Sequence, residues 1–238
     1  MNQPNSFVTL PQGVSLRRVA KILSDAWAAG PHQWTGTPLQ LREGRRPVPP
    51  APVPEDALDL FRLLQKRQIH YLLVGGMALL TYVRGRNTHD VDLLMSTAAL
   101  EQIPELAIEE RTDFFARGRF RSIQVDLLLT SNPLFKKVQQ TFATTHRFAE
   151  LDVPAVSAKG LIVLKLYALP SLYRQADRDR AAIYETDITM LLARESAAAD
   201  SLADFVNKHV ASGDRRELQR ILAECSERAI RLRKRTNS

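Results

Sequence analysis

Four groups of residues in this sequence could do chemistry. Asp90-Val91-Asp92 opens one apolar run, and Asp126 lies inside another (Gln124-Val125-Asp126-Leu127-Leu128). Gly75-Gly76 closes a third run, and Lys165 stands among Leu161, Ile162, Val163, Leu164 and Leu166. Successive side chains of a strand alternate between faces, so Asp90 and Asp92 point the same way while Val91 turns into the core. Two neighbouring carboxylates raise each other's pKa unless a cation bridges them. If the strand around Asp126 pairs beside the first, Asp126 completes a cluster of three. Hard oxygen ligands of this kind suit Mg²⁺ or Mn²⁺, which keep several waters and take further ligands from substrate phosphates. Two such ions about 3.5–4 Å apart stabilise both the entering and the leaving oxygen of an in-line displacement.

Gly75 and Gly76 lack side chains and stand between an apolar strand and a helical stretch. The backbone can therefore approach a phosphate there, or simply turn tightly. A Lys inside an apolar helix face must snorkel outward or reach a buried anion. The five histidines have no metal-ligand spacing with one another, which disfavours zinc. His89 adjoins Asp90, but strand alternation turns it away from both aspartates. There is no Gly-x-Ser-x-Gly elbow, Walker loop or dinucleotide fingerprint, so serine-nucleophile, P-loop and Rossmann chemistries lack support.

These residues need elements to position them. The spacing predicts strands over 70–74 and 91–95, a helix over 77–83, and Ser96 as the cap of the next helix. Residues 112–129 read as a hairpin with Arg117-Gly118 at its turn and Ile123–Leu129 as its second arm. Beyond Pro133 the predicted helices cover 134–143, 157–169, 175–194, 199–210 and 214–234, with a short extended piece around 148–154. Ser157 caps the second of these helices and Pro170 stops it. Ahead of this, residues 14–29 have helical spacing, a proline-rich stretch runs to residue 54, and a helix starts at Glu55. The expected fold class is therefore α+β, a mixed sheet with flanking helices followed by a C-terminal helical unit. Three regions are expected: an N-terminal helix and proline-rich extension (1–54), a core (55–135), and a helical region with a basic tail (136–238).

The chain has 238 residues, 45% of them hydrophobic and 25% charged, which fits an ordinary globular core. No apolar run approaches the roughly 20 residues of a membrane span, and the N-terminus carries no signal-peptide pattern. Cys225 is the single cysteine, which suits a reducing cytosol, so a cytoplasmic location is expected. The net charge of +7 lies at the ends. Residues 1–50 hold six basic and two acidic residues, residues 211–238 hold eight and four, and the middle holds 19 and 20. The basic tail (Arg228, Arg231, Arg233, Lys234, Arg235) could meet RNA phosphates or end a solvated helix, where cations suit the macrodipole.

The stretch VGGMALLTYVRGRNTHDVDLLM resembles the signature of the polymerase-beta-like nucleotidyltransferase superfamily: apolar, Gly-Gly or Gly-Ser, a spacer, then Asp-apolar-Asp/Glu. The superfamily usually has Ser where Gly76 stands. Arg86-x-Thr88-x-Asp90-x-Asp92 is further similar to the AbiEii-type toxins, the nucleotidyltransferase halves of type IV toxin–antitoxin pairs. So are VPAVSAKGLIVLKLYAL, which carries Lys165, and Asp187-Ile188 followed by Leu191-Leu192. Together the similarity spans residues 65–195. It implies that Asp90, Asp92 and Asp126 hold Mg²⁺ or Mn²⁺, and that an NTP is the co-substrate. Gly75, Gly76, Arg86 and Lys165 would contact its phosphates, and Asp187 would orient Lys165 or the acceptor. It also implies tRNA or another cellular target as acceptor and a cognate antitoxin as partner. Where the family often has Lys-Asp before its later Asp, this chain has Ile183-Tyr184; Arg178 or Arg180 could supply the cation. Two other readings stand beside the toxin: an antibiotic (lincosamide- or aminoglycoside-type) nucleotidyltransferase, and a catalytically silent fold acting as a binding partner.

Overall fold

The computed structural model describes residues 54–83, 88, 90–195 and 199–236. The expected helix over 14–29, the proline-rich stretch up to residue 53, Arg86 and His89 lie outside the described residues.

Helix α1 (Glu55–Lys66) starts after Pro54, with Glu55 and Asp56 in its first turn where carboxylates suit the dipole. It buries Ala57, Leu58, Leu60, Phe61 and Leu64, one helical stripe, and packs on the sheet at β7 (Leu151–Val156). Strand β1 (Tyr71–Val74) runs into α2 (Gly75–Leu80), and β2 (Val91–Met95) follows. Ser96 caps α3 (Thr97–Leu100) through the amide of Ala99, as expected. Then come β3 (Ala107–Arg111), β4 (Phe115–Phe120), β5 (Ile123–Leu129), α4 (Pro133–Thr141), β6 (Ala143–Phe148) and β7. Four helices complete the chain: α5 (Ala158–Arg174), α6 (Arg178–Arg194), α7 (Ala199–Asn207) and α8 (Ser212–Thr236).

The seven strands form one mixed sheet in the order β3-β4-β5-β2-β1-β7-β6. Strands β2 and β5 are parallel, as are β1 and β7, while the other neighbours run antiparallel. Every residue of β1 and β2 is buried, which explains why β1 reads as a continuous apolar run and β2 as one interrupted only by Asp92. The fold is thus the expected mixed α+β arrangement, with a helical unit at the C-terminus. Among the described residues no helix is long and apolar enough to cross a membrane.

Three expectations change. Arg117-Gly118 is not the hairpin turn: β4 passes straight through both residues, and the chain reverses at Arg121-Ser122, with Arg121 at φ 54°. Gly118 serves close packing instead, since a Cβ there would lie 2.5 Å from the Ala107 carbonyl oxygen of β3. Pro170 does not stop α5, which continues to Arg174. An interior proline costs about 3 kcal/mol, and burial of Leu169, Pro170 and Leu172 offsets it. The extended piece around 148–154 is two strands, β6 and β7, joined where Ala149 takes φ 51°. The sheet accordingly runs past residue 135 to Val156.

Much of the basic tail is engaged within the protein. Arg220 pairs with Glu217 and Glu224, Arg228 with Glu185, and Arg231 with Glu227. Arg233 donates to the carbonyls of Leu192, Ala193 and Glu195, closing the C-terminal end of α6. Replacing this cap leaves three carbonyls to water. Arg233→Met is expected to lower unfolding stability by about 1–2 kcal/mol in a urea titration, whereas Arg231→Met stays within about 0.5 kcal/mol.

Candidate active site

The site grows from strand register. Asp92 of β2 stands opposite Asp126 of the parallel β5, and Asp126 stands opposite Arg117 of the antiparallel β4. Directly opposed residues project to one face, so the three form a single charged row across the sheet. Each is buried. Arg117 Nε donates to Asp126 Oδ1 at 2.8 Å, and Gln124 Nε2 donates to Asp126 Oδ2 at 3.1 Å.

Asp92 has gentler support. Its Oδ2 accepts the Gly76 amide at 3.2 Å. Burial pushes its carboxyl well above the ordinary range; the Asp126 carboxylate adds to this, as does Asp90, while the Gly76 amide and the Lys165 charge oppose it. The charges of Asp90, Asp126 and Lys165 thus all reach Asp92.

Gly75 takes φ +61°, and a Cβ on it would fall 1.9 Å from Asp92 Oδ2. Both the conformation and the space demand glycine there. At Gly76 a Cβ would meet the Thr88 hydroxyl at 2.6 Å and the Thr88 Cβ at 3.0 Å, a side-chain contact looser than the one at Gly75.

The helical unit supplies the opposite wall. Lys165 of α5 does not snorkel outward; its Nζ lies 2.9 Å from Asp187 Oδ2 on α6, with 5% and 1% of the two side chains exposed. The ammonium also sits 4.4 Å from the centre of the Tyr184 ring. Burial and the Asp92 charge push the Tyr184 phenol upward, while Arg180 opposes this. Of the two arginines weighed as extra cations, Arg180 is turned inward, 3.4 Å from Asp177, and Arg178 is exposed. A narrow pocket joins the halves. Gly75, Asp92 and Lys165 line it together with Val74, Phe135, Leu161, Leu164, Tyr167 and Tyr184.

Two residues of this site are not apparent from the sequence. The Arg-Gly pattern points to a turn at Arg117, whereas the reversal at Arg121-Ser122 puts Arg117 opposite Asp126. Nothing in the local sequence of Tyr184 shows that its ring lies under Lys165.

The donor set suits a hard divalent cation at Asp92 and Asp90, where carboxylates crowd and a cation would relieve Asp92. Among the described residues, however, no group of three His, Cys, Asp or Glu side chains is arranged to hold a metal ion. At Asp126 an arginine already fills that role.

No protein-family model and no curated protein matches the chain. Among solved structures it is similar to an antigenic nucleotidyltransferase-like protein from Paracoccidioides brasiliensis, at 17% identity over 71% of this chain and 91% of that one, with a TM-score of 0.44. It is similar to ANT(2")-Ia in complex with adenylyl-2"-tobramycin, at 13% identity over 65% and 96%, TM-score 0.47. It is also similar to the lincomycin-bound lincosamide antibiotic adenylyltransferase LnuA, at 13% identity over 47% and 85%, TM-score 0.38.

A carboxyl whose pKa is raised by folding makes the metal-free protein less stable as pH climbs from the ordinary 3.8 through the raised value. Asp92→Asn removes that penalty and is expected to stabilise the metal-free chain by about 1 kcal/mol at pH 7, with a gain over wild type that grows as pH rises. Thermal unfolding between pH 4 and 8 checks this. Gly75→Ala should instead destabilise by about 2 kcal/mol or more, because φ and contact both oppose it, while Gly76→Ala costs less.

Proposed function

We propose that this protein is a Mg²⁺- or Mn²⁺-dependent nucleotidyltransferase that transfers a nucleoside monophosphate from an NTP to an acceptor hydroxyl, releasing pyrophosphate. The observation that carries the reading is the convergence of Asp92, Gly75 and Lys165, from three separate elements, on one pocket. Carboxylate, close backbone and cation are the three things a triphosphate needs around it.

Asp90 and Asp92 would hold the metal, and Asp126 is the third carboxylate of the row. When bound, the ion neutralises phosphate oxygens and aligns them for in-line displacement. Gly75 and Gly76 keep the wall free of side chains where the phosphates approach. Lys165, steered by Asp187 and backed by the Tyr184 ring, offsets charge on the triphosphate. The acceptor oxygen attacks the α-phosphorus, the bond to pyrophosphate breaks, and the hydroxyl proton leaves toward the carboxylate row. Arg86 is proposed to contact the triphosphate on the strength of the motif.

For the acceptor, the motifs favour a toxin of a type IV toxin–antitoxin pair acting on tRNA or another cellular target. The ion pairs along α8 reduce the free charge there, so any RNA contact by this helix falls mainly to its exposed Arg215, Arg216 and Arg235.

Incubation with each α-labelled NTP, Mg²⁺ and total RNA is expected to label an acceptor. Asp92→Ala should abolish this, and Lys165→Met should lower kcat/KM about 100-fold or more, the usual scale for one preorganised charge contact. Undiminished transfer by Asp92→Ala would sink the assignment.

A further inference from the structure

Both oxygens of Asp126 are already engaged. Oδ1 takes Arg117 Nε at 2.8 Å and Oδ2 takes Gln124 Nε2 at 3.1 Å, with the Arg117 and Asp126 side chains only 10% and 4% exposed. The pair is fixed by backbone, not by chance rotamers. Arg117 and Asp126 are ladder partners, with Gly118↔Val125 and Ala116↔Leu127 on either side. A second divalent ion at Asp126 would have to displace a guanidinium that stays charged at any working pH and has little room to retreat. If it shared the carboxylate instead, two cations would face each other in a poorly solvated row. Asp92, one strand away, accepts a neutral amide and has no such partner in the row.

We propose that Arg117 stands in for the second cation, so that this site binds a single divalent ion through Asp90 and Asp92 while Asp126 serves to anchor the guanidinium. This rests on Asp90 and Asp92 being metal ligands, as proposed above, and changes the part given to Asp126. Arg117 is then a positioning residue whose permanent charge sets how many ions the site accepts.

Counting ions tests it without reference to turnover. The full chain is titrated with Mn²⁺ alone, and bound ion is read from the loss of the free-ion EPR signal. Wild type is expected to bind one ion. Asp92→Asn should weaken it about tenfold or more, the scale of losing a ligand contact, while Arg117→Gln combined with Asp126→Asn, which removes the pair without leaving a bare charge, should leave affinity within about threefold. Arg117→Gln should gain a second ion or bind the first about tenfold tighter, as a carboxylate released from its cation becomes a ligand. The inference is overturned by two ions on wild type, by the neutral pair variant weakening binding as much as Asp92→Asn, or by a folded Arg117→Gln that gains nothing. If Arg117→Gln fails to fold, the wild-type count and the neutral pair variant decide. No Mn²⁺ bound by wild type at millimolar concentration removes the metal reading itself, an outcome distinct from the count being wrong.

Discussion

The parallel pairing of β2 with β5 sets Asp92 directly beside Asp126 in the middle of a sheet, and much of the molecule answers the consequences of that register. Two buried carboxylates side by side cost stability through desolvation and mutual repulsion, so each needs a compensating group. Asp126 receives Arg117 and Gln124; Asp92 receives the Gly76 amide and the more distant charge of Lys165. Gly75 is the price of this contact, because the backbone must come close enough for its neighbour's amide to reach Asp92. Had β5 slipped by one residue against β2, Asp126 would face the other side of the sheet, away from Asp92.

The same constraint explains the helical unit. Lys165 cannot enter the row from the sheet; α5 carries it in, and α6 supplies Asp187 and the Tyr184 ring that keep the ammonium in place. A buried lysine without a carboxylate would lose its proton or its position. Helix α8 in turn packs on α6, and its Arg233 closes the end of that helix. The C-terminal basic residues that look like a nucleic-acid tail in the sequence are thus partly the scaffold for Asp187.

How much of this is legible in the sequence depends on the range of the interaction. The short central strands and the Ser96 and Ser157 caps are local, and the structure has them where periodicity puts them. Arg117-Gly118 looked like a turn because Gly after Arg is a reasonable turn signal. Its real reason, the approach of Ala107 on another strand, involves a residue eleven positions earlier. Strand β3 is exposed along its whole length and carries Glu109, Glu110 and Arg111, so no apolar alternation marks it. Pro170 misled for a similar reason, since the packing that carries α5 through it is tertiary. At the site, carboxylates and glycines announce themselves by type and spacing, whereas the Arg117 and Tyr184 contacts arise from register and helix packing.

The distribution of partners then says where a cation belongs. Asp126 and Asp187 each have a full positive charge within 3 Å, from Arg117 and Lys165 at 2.8 and 2.9 Å, while Asp92 accepts from a neutral amide at 3.2 Å. Negative charge is therefore least compensated at Asp92, with Asp90 adding to it. That is also the point nearest Gly75, where the wall carries no side chain and the pocket reaches the sheet. A dication arriving with a triphosphate would bring its charge to the one carboxylate that lacks a partner in the row, and it would leave both existing ion pairs intact. Under the proposed reading Lys165, which lines the pocket, would face the phosphate chain, while Arg117 would act from behind the row through Asp126.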